Sequence, residues 1–365
     1  MKFNFSLILL ILLVFSACKK PNNFSCVDKN IQVLINETFE ENAKPESFKN
    51  QIFILNEGGF TNGNASISAY DIATNTVTNN VFQNVNEYQL GDIVQSISRK
   101  DDFLYIVVNN SQKIEIVKET TFESYKTIAG LSSPRYISFQ DETKFLLTDL
   151  YENNIKVLDN EQNCSVKNII TEGWTEEIFK IGNFFWIIER NGIGVEDKFA
   201  NLLKINAANY EIAQRIGIPV EPNSIVLDND DNIWILSSGI ENENKAQQLI
   251  KVNTATSQVE KTFTFSGFTD IAQNLAFNKN NNKLYYNKAN FIYSMPTSFQ
   301  NLPTQALFQS NASIVYNIAI HPENNDIYIS DAVDFVSQGK VLRYNSSGTL
   351  LDELQVGFLP SKILF

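Results

Sequence analysis

The chain closes on Pro360-Ser361-Lys362-Ile363-Leu364-Phe365, and its first strand-like run is Ile52-Phe53-Ile54-Leu55-Asn56-Glu57. Neither stretch has a partner beside it in sequence. Between them a short apolar strand recurs, centred on Ile97, Ile137, Ile178, Ile225, Leu275, Ile318 and finally Ile363, at intervals of 40, 41, 47, 50, 43 and 45 residues. Six of these are followed by a second strand built on a bulky residue: Tyr105, Leu146, Trp186, Trp234, Tyr285 and Tyr328. The seventh has none, because the chain stops at Phe365; the missing strand is the run Ile52–Glu57 at the other end. An internal period of this size marks a repeat architecture. A solenoid would need no such displaced half-repeat, whereas a ring of sheets is closed by it. The sequence therefore predicts an all-β fold, a seven-bladed β-propeller closed by pairing of its N- and C-terminal strands.

The rest of the chain agrees. From residue 50 onward, Val, Ile, Thr, Tyr and Phe fill short runs separated by Asn, Asp and Gly turns, the pattern of strands and hairpins. The 365 residues carry 29 Lys and Arg against 41 Asp and Glu, a net charge of −12. An acidic surface repels phosphate backbones, so no nucleic-acid partner is expected. The single histidine, His321, removes most zinc chemistry and every imidazole-based triad. His321-Pro322 falls in a polar turn, where a solvent-exposed ring is expected. Asp228-Asn229-Asp230-Asp231-Asn232 resembles a calcium loop but lacks Gly at position six and Glu at position twelve, and it too reads as a turn.

Ahead of the repeats, Met1-Lys2 leads into an apolar run from Phe5 to Phe15 and then Ser16-Ala17-Cys18. A basic start, an apolar stretch too short to span a bilayer and small residues before a cysteine describe a lipoprotein signal peptide, with Cys18 as the lipidated residue. Three segments are expected: residues 1–17 as signal peptide, 18–49 as a lipid-anchored polar tether, and 50–365 as the propeller. An oxidising envelope permits a Cys26–Cys164 disulfide. With Cys26 in a tether and Cys164 in a hairpin, two free thiols are the expectation.

Residues just ahead of each inner strand, and connections after each second strand, should gather at one mouth of the central channel. The candidate ligand-binding residues there are Glu57, Gln95, Arg135, Tyr151, Trp174, Glu176, Arg190, Asn223, Gln273, Tyr316, Asp331 and Asp334. Loops on a rigid scaffold are where binding concentrates. A metal-dependent lactonase-like propeller would need Glu57, Glu176 and Asn223 to converge on a cation, and Arg135 in the same ring opposes that. No phosphate-binding Gly-rich loop or nucleophile elbow is present. Binding without catalysis, metal or cofactor is the reading, and a protein-interaction platform is its alternative.

Several motifs resemble the YncE-like surface-lipoprotein propellers of Bacteroidota. They are Ile54-Leu55-Asn56-Glu57-Gly58, Leu90-Gly91-Asp92 with Gln95-Ser96, and Tyr105 to Ser111. Ser133-Pro134-Arg135-Tyr136, Thr148-Asp149, Thr175-Glu176-Glu177 and Asp331-Ala332-Val333-Asp334 belong with them. The resemblance runs from about residue 51 to 365 and implies a seven-bladed propeller. It also implies capture of a cobamide (vitamin B12 or a relative) or similar large solute, handed to a TonB-dependent outer-membrane transporter. The implied location is the outer membrane by lipid anchor, at the cell surface in preference to the periplasmic face. For such a ligand, Asn and Gln would meet ring amides, Tyr and Trp its apolar faces, and Arg135 or Arg190 its phosphate.

Overall fold

A computed structural model describes residues 26–28, 30–36, 39, 47–191, 195 and 198–365. The expected signal peptide and the lipidation site Cys18 lie outside these residues. Seven antiparallel sheets follow one another, and the sheet holding the first repeat strand has the spatial order Pro360–Leu364, Ile52–Asn56, Ser66–Asp71, Thr76–Thr78. In this blade 1, Phe53 faces Leu364 and Ile54 faces Ile363 across the closing pair. The ring is shut by backbone hydrogen bonds between the two ends of the chain. Blades 2 to 7 occupy residues 94–129, 134–170, 174–217, 222–264, 272–309 and 315–355.

Each blade's second strand is apolar on both faces, as in Ile52–Asn56 and Ile233–Ser237, where every residue is buried. A strand sandwiched between two neighbouring sheets needs this, and it explains why these runs do not alternate. The core accordingly consists of seven wedges, one at each blade junction. Trp186 and Ile188 of blade 4 pack on Ile233, Ile235 and Ile250 of blade 5, and Ile52 and Ile54 of blade 1 pack on Tyr328 and Val341 of blade 7. One short helix, Val81–Asn86, follows the outer strand of blade 1, so Phe82 lies beyond that sheet.

Two expectations for the N-terminal segment are corrected. Cys26 and Cys164 form a disulfide, so they are not free thiols. The tether is also not a polar spacer throughout residues 18–49: Gln32–Ile35 adds a fifth strand to blade 2, pairing with Ser124–Ala129. The segment Gln32-Val33-Leu34-Ile35 is itself apolar enough to pair, and the outer edge of blade 2 offers unpaired backbone groups. His321 is corrected as well. Its ring is half-buried, 4.9 Å from Phe365, and its Nδ1 accepts the Glu323 N–H at 3.2 Å. The Asp228 turn is closed by the carboxylate, which takes the Asn232 N–H at 2.9 Å and Trp234 Nε1 at 2.9 Å.

Candidate functional site

Every blade carries a register shift where its inner strand leaves the channel mouth. The shifts fall between Val94 and Ser96, Thr175 and Ile178, Pro222 and Ser224, Gln273 and Ala276, and Val315 and Asn317. Blades 3 and 1 shift opposite Pro134–Ile137 and Pro360–Lys362. A bulge inserts an extra residue, bends the strand and re-aims side chains. The residues in the shifted positions are Gln95, Arg135, Tyr136, Glu176, Glu177, Asn223, Asn274, Leu275, Tyr316 and Ser361. Seven bulges around one axis thus turn a ring of polar side chains toward the same opening.

Those side chains are bonded across blade junctions. Arg135 of blade 3 reaches Glu176 of blade 4 at 2.8 Å and also Gln95 of blade 2. Gln95 Nε2 donates to the Tyr136 hydroxyl at 3.0 Å. Arg190 pairs with Glu221 at 2.5 Å and lies 5.3 Å from the Trp174 ring, and Lys198 holds the other Glu221 oxygen. Asn223 donates to the Ala272 carbonyl at 2.9 Å, Asn274 to that of Val315 at 3.2 Å, and Tyr316 to Glu57 at 2.6 Å. Glu221 adopts a left-handed backbone (φ 56), a costly conformation for a residue with a Cβ, and so brings its carboxylate between Arg190 and Lys198.

Burial shapes the charges. It raises the Glu57 carboxyl above the usual range, against the pull of Tyr316, Arg135 and Lys362. It does the same to Glu176 against Arg135, and it pushes the Tyr136 and Tyr316 hydroxyls up, helped by Glu177 and Glu57 respectively. Glu221 goes the other way: burial would raise it, but Lys198 and Arg190 hold it below the ordinary carboxylate value. Lys362 sits 5.8 Å from the Tyr136 ring and makes no ion pair among the described residues.

Two cavities open here. The channel itself, about 490 Å³, is lined by Glu57, Tyr136, Glu177, Asn274, Tyr316 and Lys362 among others. A second, about 340 Å³, lies between Arg135, Glu176, Arg190, Glu221 and Asn223. Around the rim, the loops after the second strands expose Phe60, Tyr151, Phe335 and Val336, at 66, 71, 52 and 76% of full accessibility. The face is a polar floor under apolar loop tips. Phe335 stands edge-on to Tyr316 at 6.0 Å and links the two layers.

Of the residues read from sequence, Glu57, Gln95, Arg135, Trp174, Glu176, Arg190, Asn223 and Tyr316 are brought together here. Gln273 faces a separate cavity between blades 6 and 7, beside Asp270 and Asn290. Tyr151 is a loop tip. Asp331 does not face the mouth: it is buried and accepts the N–H groups of Ser313, Ile314 and Val333 at 2.9–3.1 Å. Asp334 is exposed and closes its own loop on Val336 and Ser337. The guanidiniums expected to meet a phosphate are already occupied by Glu176 and Glu221. Tyr136, Glu177 and Asn274 stand at the strand starts expected to ring the mouth but were not among the candidate ligand-binding residues; Glu221 and Lys362 were missed, and Lys362 stands beside a bulge. Among the described residues, no group of three or more His, Cys, Asp and Glu is placed to hold a metal ion.

A closed ring of seven four-stranded sheets with a polar channel mouth defines the seven-bladed β-propellers. Within that class the chain belongs to the family described as "Domain of unknown function (DUF5074)", which matches residues 50–365. No curated protein matches it in sequence. A quinonprotein alcohol dehydrogenase-like protein of Bacteroides thetaiotaomicron is similar in structure, at TM-score 0.64 and 14% identity over 88% of this chain and 79% of that one. The periplasmic gluconolactonase PpgL of Pseudomonas aeruginosa is similar at TM-score 0.59 and 14% identity, over 86% and 99%. Apo AztD of Citrobacter koseri follows at 0.55 and 8%, over 86% and 96%. Identities this low show the fold alone.

Proposed function

We propose that this protein is a lipid-anchored, non-catalytic binding protein of the outer membrane that takes a cobamide or a similar large, amide-bearing solute at the channel mouth. In this reading the solute passes to a TonB-dependent transporter. The observation that carries it is the layered mouth. Amides and hydroxyls from Asn223, Asn274 and Tyr136 form a floor, and Phe60, Phe335 and Val336 stand above it. A broad disc with apolar faces and an amide fringe matches such layering better than a small anion would. Because Arg135 and Arg190 are paired, Lys362 is the cation assigned to a ligand phosphate.

Calorimetry of residues 26–365 with cyanocobalamin tests this. Binding tighter than about 1 μM, weakened about tenfold or more by Lys362→Ala and by Tyr136→Ala and unchanged in His321→Ala, is the expected result. Affinity weaker than that removes the cobamide reading. The exposed loop tips favour one alternative, a docking platform for another protein. It predicts that Phe335→Ser abolishes partner binding while cyanocobalamin gives no heat.

A further inference from the structure

The N-terminal segment is fastened to the outside of the ring at defined heights. Cys164 begins the outer strand of blade 3 and faces Asp159 across the turn at the end opposite the mouth; Ile170 of the same strand lies at the mouth end. Cys26 is bonded to Cys164 at that far end. Val27 N–H donates to the Ser165 carbonyl at 2.9 Å, and Lys156 holds Asp28 at 3.0 Å. The chain then climbs the rim and returns along blade 2, with Gln32 facing Ala129 near the mouth and Ile35 facing Lys126 below it. Phe39 packs at the far end on Phe103 and Tyr125, and Phe48 on Phe122. The belt therefore enters at the far end of blade 3 and leaves at the far end of blade 2.

We propose that this belt holds the channel mouth away from the membrane that carries the anchor, with the opposite end of blades 2 and 3 next to the lipid. The inference rests on Cys18 as the anchored residue. Cys26 stands only eight positions after Cys18, which limits the reach to at most ~28 Å. A six-residue strand spans about 20 Å, so the mouth stands a strand and its loops further out than Cys164. Without the disulfide only the Val27–Ser165 hydrogen bond and the Asp28–Lys156 pair hold the chain to blade 3. Once these noncovalent contacts open, the first strand pairing is at Gln32, 14 positions from Cys18, and the reach grows to ~50 Å.

The two ends differ in surface chemistry. The hairpin turns of the far end expose Asp101, Asp102, Asp141, Glu142, Asp230 and Asp231, hydrated groups that keep this end at the surface of a zwitterionic bilayer without inserting into it. The apolar tips are at the other end. They face the medium rather than the bilayer, and a transporter in the same membrane meets the mouth only through parts that rise above the lipid.

The test uses residues 18–365, with Cys18 coupled to a maleimide lipid in phosphatidylcholine vesicles; the disulfide leaves it the one free thiol. A dye is placed through azidophenylalanine at Tyr151 (mouth, blade 3) or Glu142 (far end, blade 3), with an acceptor on the headgroups. Energy transfer from position 142 should exceed that from 151 at least threefold. Reducing the disulfide, or replacing Cys26 and Cys164 by Ser, should bring the ratio toward one. Equal transfer from the two positions with the disulfide intact, or stronger transfer from 151, overturns the proposal. Phe335→Ser should leave the ratio unchanged; a fall in transfer from 151 on that substitution would mean that the loop tips sit in lipid and overturns the proposal. No cobamide is present, so a failed ligand reading does not affect the result. The mass of the N-terminal peptide from cells reads lipidation of Cys18 separately.

Discussion

The two ends of the propeller spend similar polar residues differently. At the far end, Asp141, Asp228, Asn278 and Asn345 each accept N–H groups of their own turn, within four residues. At the mouth, Gln95, Arg135, Asn223, Asn274 and Tyr316 reach some forty or more residues away in sequence, to a neighbouring blade. A local carboxylate stabilises a hairpin and is spent there. A side chain bonded across blades sits on a surface whose shape seven sheets decide together, and part of its hydrogen-bonding capacity remains turned to the channel. The far end therefore answers for stability, and the mouth for what is bound.

Four experiments can break that contrast. The largest effect is expected from deleting 360–365. The all-buried strand Ile52–Asn56 would lose its inner partner, and calorimetry should show no cooperative unfolding transition. A truncated chain that melts like the full one would mean that closure does not hold the ring. Next comes Asp228→Ala. It strands the buried Trp234 Nε1 and two turn N–H groups, costing about 1–3 kcal/mol in urea unfolding without changing ligand affinity.

A smaller effect of opposite sign is expected at the mouth. Burial lifts Glu57 above its ordinary value of 4.5, so the folded state holds that proton more tightly than the unfolded chain does. Stability is then lost as pH rises from the ordinary value through the folded one. Glu57→Gln keeps the Tyr316 bond and removes this cost. Its urea midpoint should lie above the wild type at pH 7 and match it near pH 4; a lower midpoint at pH 7 would show the carboxylate to be a net stabiliser. The smallest change should come from Phe335→Ser, within about 0.5 kcal/mol, because the ring is mostly in solvent. A larger loss would make the loop tip part of the fold.

Legibility followed the same division. The repeat exposed the blades and the strand starts, and five of the ten bulge residues were chosen as candidates from position alone: Gln95, Arg135, Glu176, Asn223 and Tyr316. Asp331 was misassigned because its position, the end of the second strand, points into the junction. The matching residues Asn56, Asp149, Glu189 and Ser237 are buried as well. His321 looked solvent-exposed because the residue that covers it, Phe365, follows the closing strand of the next blade, 44 residues further along the chain.

Pattern and period sufficed for what depends on neighbours in the chain. Short apolar strands, polar turns, seven copies and a displaced half-repeat all follow from local preference and from the need to bury both faces of every blade. The tertiary structure alone decided what joins residues over long separations: the Cys26–Cys164 bond spanning 138 residues, the fifth strand on blade 2, and the pairing of Arg135 and Arg190 with Glu176 and Glu221. Such contacts depend on the angle and distance between blades. Those are set by how seven wedges of side chains fill their junctions, which no single stretch of sequence specifies.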